Sequence, residues 1–491
     1  MILYIKNHPY LYECENLCRV FFPDEAIKSI TEGEAQDDIV AFTELKRRES
    51  KTHLIARVTA FGTTQELTDE LENDAQEYNE LCERKLATAL YNAFRTVTGY
   101  TPQWGLLTGV RPAKLMHALS NKFGSDDKAS EYFKDELLVS PQKTALARRV
   151  AQSENAIIAL SESKSFSLYI SIPFCPTRCS YCSFVSSSMK SAKKLIPQYV
   201  ELLKQEIIET AKIANSLNLR LESIYFGGGT PTTLEAEQLK ELVETIEQNF
   251  DLSNLREYTI EAGRPDTLTR EKLEVINDGF KKRISINPQT MNDDVLKVIG
   301  RAHTAQLAVD MLTLAREVGI SNINMDIIAG LPTDTLESFL NTVDRIIALS
   351  PESITVHTLS LKRSSTLAKE DRSFLKDSQL VSDMLNKAQE KLYLSGYFPY
   401  YMYRQSRMVG NLENVGWSKA GYECLYNVFM MDETHTILSC GAGAVTKLRV
   451  PNVNKIERIF NYKYPFEYIS GFDTILERKK RIAEFYNEFN L

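Results

Sequence analysis

From about residue 166 the apolar residues fall into short runs separated by longer stretches with helical spacing. The runs Ser167–Phe174, Ser223–Phe226, Glu257–Ala262, Lys282–Asn287, Asn322–Ile328 and Ser353–Leu359 are rich in β-branched and aromatic residues and read as strands. Between them, Leu195–Ser216, Ala236–Phe250, Ala305–Val318 and Leu336–Leu349 repeat apolar residues every three or four positions, the signature of helices with one buried face. Strands that alternate with helices form parallel βα units. The six units predict an α/β fold built as a partial (β/α)6 barrel. The chemistry of such barrels lies at the carboxyl ends of the strands.

The flanking regions have a different rhythm. Met1–Lys6, Asp38–Leu45 and His53–Phe61 read as strands, and Glu70–Thr96 as a helix with Leu71, Ala75, Tyr78, Leu81, Leu86, Leu90 and Phe94 on its buried stripe. Ala113–Phe123 and Ala129–Leu160 read as helices, and polar Ser161–Ser165 as a linker. After residue 365, Asp383–Tyr397, Glu457–Phe460 and Asp473–Phe489 read as helices, while Thr436–Cys440 and Ala444–Val450 flank Gly441-Ala442-Gly443. The expected organisation is an N-terminal auxiliary α+β domain over 1–165, a (β/α)6 core over 166–365 and a C-terminal α+β extension over 366–491.

Composition narrows the class without naming a reaction. The 491 residues suffice for more than one domain, and 43% hydrophobic with 25% charged content is ordinary for a globular chain. A net charge of −7 carries no basic footprint for nucleic acid. No signal peptide and no apolar run long enough for a membrane span is apparent. Eight cysteines in so long a chain do not make a disulfide scaffold. A cytoplasmic location is therefore expected.

The cysteines become informative where they cluster. Cys175, Cys179 and Cys182 have the spacing C-x3-C-x2-C directly after the first strand of the core. Iron–sulfur clusters are held by cysteine thiolates, commonly four. Three thiolates hold three irons of a cubane and leave the fourth open to a ligand. A structural zinc site wants four ligands, and no second pair is near. Cys14 and Cys18 share a helical face, but no further ligand is close in sequence, so core packing is the better reading. Gly227-Gly228-Gly229-Thr230-Pro231 follows the second strand, where missing Cβ atoms let backbone approach a partner closely. It lacks the Gly-Lys-Ser/Thr of a nucleotide P-loop.

The stretch Tyr169-Ile170-Ser171-Ile172-Pro173-Phe174-Cys175, with the triad, the aromatic Tyr181 and the glycine run, resembles the radical S-adenosylmethionine (SAM) superfamily. Within it the flanks resemble the oxygen-independent coproporphyrinogen III dehydrogenase group, the HemN-like proteins. Trp104-Gly105-Leu106-Leu107-Thr108-Gly109-Val110-Arg111-Pro112, Tyr403-Arg404-Gln405 and Asn411–Gly416 look like its HemZ branch. The resemblance implies the TIM-type partial barrel of radical SAM proteins, a 4Fe–4S cluster on Cys175, Cys179 and Cys182, and one SAM molecule or two. It further implies a SAM site formed by Tyr169, Tyr181, Gly228, Gly229, Thr230, Glu261, Gln289, Arg301 and Asp326. Arg301 would fork to the SAM carboxylate and Asp326 would accept from a ribose hydroxyl.

The implied reaction is oxidative decarboxylation of two propionates of coproporphyrinogen III to vinyl groups, giving protoporphyrinogen IX in haem biosynthesis. The electron donor would be a flavodoxin or ferredoxin. Arg264, Arg363, Arg404 and Arg407 are candidate rim cations for the propionates. The chain departs from the HemN pattern in three places. Phe184 stands where those enzymes have a fourth cysteine, Ser171 stands for a histidine, and no glutamine matches near Tyr426-Asn427. A haem-binding chaperone of the HemW type, which shares the phenylalanine, is the alternative, with another SAM-dependent tetrapyrrole modification as a third.

Overall fold

The computed structural model describes residues 1–33, 37–182, 184, 186–360, 378–405, 408–451 and 455–490. The chain divides into two compact units. One comprises Met1–Arg149 with Arg404–Leu412; the other comprises Val150–Tyr403 with Glu413–Leu491.

In the first unit, strands β1 (Ile2–Lys6), β2 (Lys28–Ile30), β3 (Val40–Arg47), β4 (Lys51–Ala60) and β5 (Thr63–Glu72) form one sheet in the order β2-β1-β3-β4-β5. The helices Leu11–Phe21 and Tyr78–Thr98 supply one side of its core: Leu17, Cys18, Leu90 and Phe94 pack with Leu3, Ala41 and Val58. Cys14 and Cys18 are both in that core, and burial pushes the Cys14 thiol up to about 12. The expected helix over Glu70–Thr96 begins only at Tyr78, because Glu70–Glu72 finish β5. β5 is an edge strand with six of its ten residues exposed and none fully buried, so its sequence lacks the apolar alternation that marks a half-buried strand. The expected single helix over Ala129–Leu160 is two, Asp126–Asp135 and Pro141–Ile158, since proline opens a helix but does not continue one.

Among the described residues the second unit contains an 11-stranded sheet. Its centre is six parallel strands in chain order: β6 (Ser165–Ile172), then, past the short pair β7 (Phe174–Cys175) and β8 (Ser187–Ser188), β9 (Arg220–Gly228), β10 (Glu257–Glu261), β11 (Arg283–Ser285), β12 (Asn322–Ala329) and β13 (Ser353–Thr358). With the helices between them these strands make the expected open, six-unit α/β arrangement. These strands are buried almost throughout because both faces of a parallel sheet are covered, although several alternate polar and apolar residues. Thr304 and Thr335 cap the helices Ala305–Val318 and Leu336–Leu349 by accepting from Leu307 N and Ser338 N.

The sheet continues past both ends of the six. β14 (Phe398–Tyr403) and β15 (Asn414–Ser418) add antiparallel beyond β13. β16 (Thr436–Cys440) pairs parallel with β6, followed by β17 (Val445–Arg449) and β18 (Ile456–Phe460). The helix expected at Glu457–Phe460 is therefore a strand. Five residues with Ile456 and Ile459 are too few to show a period, and pairing with β17 decides the conformation.

Candidate functional site

The cysteine loop leaves the end of β6 and is tied down at both ends. Cys175 pairs with Ser188 in the short β7–β8 ladder, Cys182 N donates to Cys179 O, and Ser180 N donates to Ile299 O. Cys179 is buried; Cys175 and Cys182 are half-buried. Burial raises the thiols of Cys175 and Cys182, and the neighbouring sulfurs add to the shift, so the three lie within electrostatic reach of one another. Among the described residues no three Cys, His, Asp or Glu side chains are grouped tightly enough for a single metal ion. A cubane makes a different demand, because each thiolate ligates its own iron and the sulfurs stand farther apart. Three thiols on one loop with no fourth beside them fit that donor set.

The glycine run closes against the same loop. Gly229 N donates to Ile172 O and Thr230 N donates to Phe174 O. A Cβ on Gly229 would stand 2.4 Å from Phe174 O, and Gly228 has φ +103°, so neither position tolerates a side chain. Thr230 Oγ1 lies 3.5 Å from Cys175 Sγ. The glycines thus serve strand-to-loop packing directly beside the first cysteine.

The remaining candidates come from later strand ends. Glu261 ends β10, and its Oε1 accepts from Tyr225 OH at 2.5 Å. Burial pushes Glu261 up to about 7, with Tyr225 offsetting part of the shift and Asp326 adding to it. Asp326, on β12, accepts from Asn324 Nδ2 and lies 3.5 Å from His357 Nε2. Burial works against its ionisation, but His357, Asn324 and Thr355 outweigh it and hold the carboxyl below its ordinary value. Gln289 bridges to Ile327, has φ +68°, and is buried with no partner for Oε1 among the described residues. An orphaned buried acceptor of this kind fits a donor on a bound ligand. Tyr225 and Tyr426 stack at 4.5 Å between ring centres, and Tyr169 lies beside both, at 6.3 and 5.9 Å.

Arg301 is buried, and its fork faces protein. Nε and Nη2 donate to Tyr181 OH at 3.4 and 3.1 Å, and Nη1 donates to Gly263 O and Asn287 O. Arg301 thereby joins the aromatic of the cysteine loop to the turn after β10. Beside it, His303 is 4% exposed, and burial holds it down at about 4, neutral at physiological pH.

Two of the four arginines expected at a substrate rim are elsewhere. Arg264 is buried beneath the cysteine loop, ion-paired to Asp266. Arg404 is buried in the first unit, donating to Leu107 O, Gly109 O and Asn411 O with its guanidinium 5.2 Å from the Trp104 ring centre. Neither offers an exposed fork, because backbone carbonyls and a carboxylate already take their donors. Arg363 and Arg407 lie outside the described residues. Sequence reasoning missed His357 and Tyr225. The available signal for His357 was its place at a strand end as one of only six histidines.

The residues 169–346 match the model of the radical SAM superfamily. The chain is 34% identical over 476 residues to the oxygen-independent coproporphyrinogen-III oxidase-like protein HemZ of Bacillus subtilis (strain 168), covering 96% of this chain and 95% of that protein. It is 32% identical over 335 residues to the heme chaperone HemW of Haemophilus influenzae, covering 66% of this chain and 82% of that one. Its fold is similar to that of coproporphyrinogen III oxidase (HemN) from Escherichia coli, with TM-score 0.51 and 24% identity over 66% of this chain and 72% of the other. The chain belongs to the radical SAM superfamily, and within it to the family of HemZ, the oxygen-independent coproporphyrinogen-III oxidase-like proteins. Radical SAM proteins work with a 4Fe–4S cluster and S-adenosylmethionine. Among the described residues no helix is long and apolar enough to cross a membrane.

Proposed function

We propose that this protein is a radical SAM oxidoreductase that oxidatively decarboxylates propionate side chains of coproporphyrinogen III to vinyl groups. The observation that carries the reading is one set of strand ends. The cysteine loop after β6, the glycine loop after β9, Glu261 on β10, Gln289 after β11 and Asp326 on β12 all stem from the carboxyl-terminal halves of neighbouring parallel strands. The similarity to HemZ over nearly the whole chain supports it.

In this reading Cys175, Cys179 and Cys182 hold the cluster. Tyr169, Tyr181, Gly228, Gly229, Thr230, Glu261, Gln289, Arg301 and Asp326 border SAM. Together the bound groups supply one-electron chemistry that side chains cannot. Asp326, kept ionised by His357, accepts from a ribose hydroxyl. Gln289 Oε1 accepts from a ligand donor. Four of the five N–H donors of Arg301 are engaged within the protein, so it offers a carboxylate one hydrogen bond and its charge. The stack of Tyr169, Tyr225 and Tyr426 excludes water from the interior below Glu261. The N-terminal residues 1–165 are an auxiliary domain, and a flavodoxin or ferredoxin delivers electrons in the cytoplasm.

Phe184 favours one second reading, a haem-binding chaperone, since it stands where HemN-type enzymes carry their fourth cysteine. Turnover separates the two. Anaerobically reconstituted protein is given coproporphyrinogen III, SAM and a low-potential reductant. Vinyl product and CO2 formed in step with 5′-deoxyadenosine are expected. Stoichiometric haem binding with the propionates untouched would replace the enzyme reading with the chaperone.

A further inference from the structure

We propose that Arg264 is a positioning residue for the cysteine loop and sets the reduction potential of the cluster held there. The inference rests on the reading that Cys175, Cys179 and Cys182 ligate that cluster. Arg264 follows β10, immediately before the short turn Pro265–Thr267, and is 3% exposed. Its Nε and Nη2 donate to the two carboxylate oxygens of Asp266, each at 2.9 Å. This paired contact fixes the plane of the guanidinium. The remaining nitrogen, Nη1, then meets the cysteine loop. It lies 3.2 Å from Thr177 Oγ1, 3.4 Å from Thr177 O and 3.7 Å from Cys179 Sγ.

Cys179 is the only one of the three sulfurs that a cationic donor reaches in this way among the described residues, and it is the most buried of them. Its thiol stands in for the thiolate that ligates iron. Asp266 cancels part of the arginine charge, but it does so from the far side. The pair is therefore a dipole with its positive end on the sulfur. Reduction adds negative charge to a cluster and its ligands, so a positive end held against one ligand favours the reduced form. Hydrogen bonds to cluster sulfurs and local charge are established determinants of such potentials. The two threonine contacts give the same side chain its second task, holding the loop between Cys175 and Cys179.

The test is a redox titration of reconstituted full-length protein, followed by the electron paramagnetic resonance signal of the reduced cluster, beside iron content. Arg264→Gln is expected to retain iron and make reduction about tenfold less favourable, about 59 mV lower for a one-electron couple. Arg264→Lys keeps the charge but cannot span Asp266 and Thr177 together, and is expected to shift in the same direction by less. An unchanged potential in either variant at full iron content would overturn the proposal. So would a folded Arg264→Gln protein without iron, which would make the residue a requirement of assembly. Wild-type protein that holds no cluster would instead overturn the reading beneath it.

Discussion

Glu206 and Lys479 form an ion pair of 3.0 Å in the interior of the second unit, with both side chains almost fully excluded from solvent. They come from the helices Ile196–Ser216 and Phe472–Glu488. Glu206 also accepts from Gly441 N, Tyr468 OH and Asn461 Nδ2. Gly441 and Ala442 in turn brace the end of β6: Ser171 Oγ donates to Ala442 O, and Tyr199 OH joins Ser171 O to Ala442 N. The C-terminal helix thus fastens the strand that launches the cysteine loop. Glu206→Ala leaves an ammonium buried without its counter-charge, a loss of about 3–5 kcal/mol. Urea unfolding of the apo protein should report it, and adding Lys479→Met should recover most of it. A single variant as stable as wild type would contradict this account.

Cysteine substitutions should divide cleanly. Cys175→Ala, Cys179→Ala and Cys182→Ala should each lose most iron and most thiolate-to-iron absorbance after anaerobic reconstitution. The alanine variants of Cys14, Cys18, Cys82, Cys424 and Cys440 should keep both, although all five are buried and will cost some stability. Iron retained at wild-type level in the triple variant would remove the cluster from this loop.

Arg301→Ala should weaken SAM binding to the loaded protein by roughly 30- to 150-fold, about 2–3 kcal/mol, the range for removing a buried charged donor. Two causes add: a lost contact to the ligand carboxylate and the release of Tyr181. Tyr181→Phe removes only the second and should cost less. Calorimetry that finds equal affinity in wild type and Arg301→Ala would exclude the residue from the site.

Glu261 gives the apo protein a defined pH response. Its carboxyl titrates near 4.5 when unfolded and is pushed up to about 7 by burial in the fold. Between these values the folded chain keeps a proton that the unfolded chain has lost. The fold is therefore favoured at the acid end, and that advantage disappears as pH rises through about 7. Glu261→Gln keeps the acceptor for Tyr225 and removes the titration. Its stability should match wild type below pH 4.5 and exceed it increasingly up to about pH 7, by about 3 kcal/mol at the plateau, with a melting temperature that rises in step. A constant difference across the window would mean that Glu261 is not the group responsible.

Local pattern was enough for much of the second unit. All six parallel strands overlap the runs expected for them, and the helices Ala305–Val318 and Leu336–Leu349 have the expected bounds, because strands and one-faced helices write their periods into contiguous residues. The cysteine spacing was equally local, since all three thiols lie on one loop. The rest depended on residues far apart in the chain. β5 and β18 are strands because of the neighbours they pair with, not because of an alternation of their own. Arg264 was indistinguishable in sequence from a rim cation. Asp266 and a loop 85 residues upstream decide that it is buried against a sulfur. The same holds for His357 beside Asp326, and for Glu206, whose partner Lys479 arrives only when the last helix docks. Short-range order sets the period of an element. Which charges can be buried is decided only when the fold brings their partners to them.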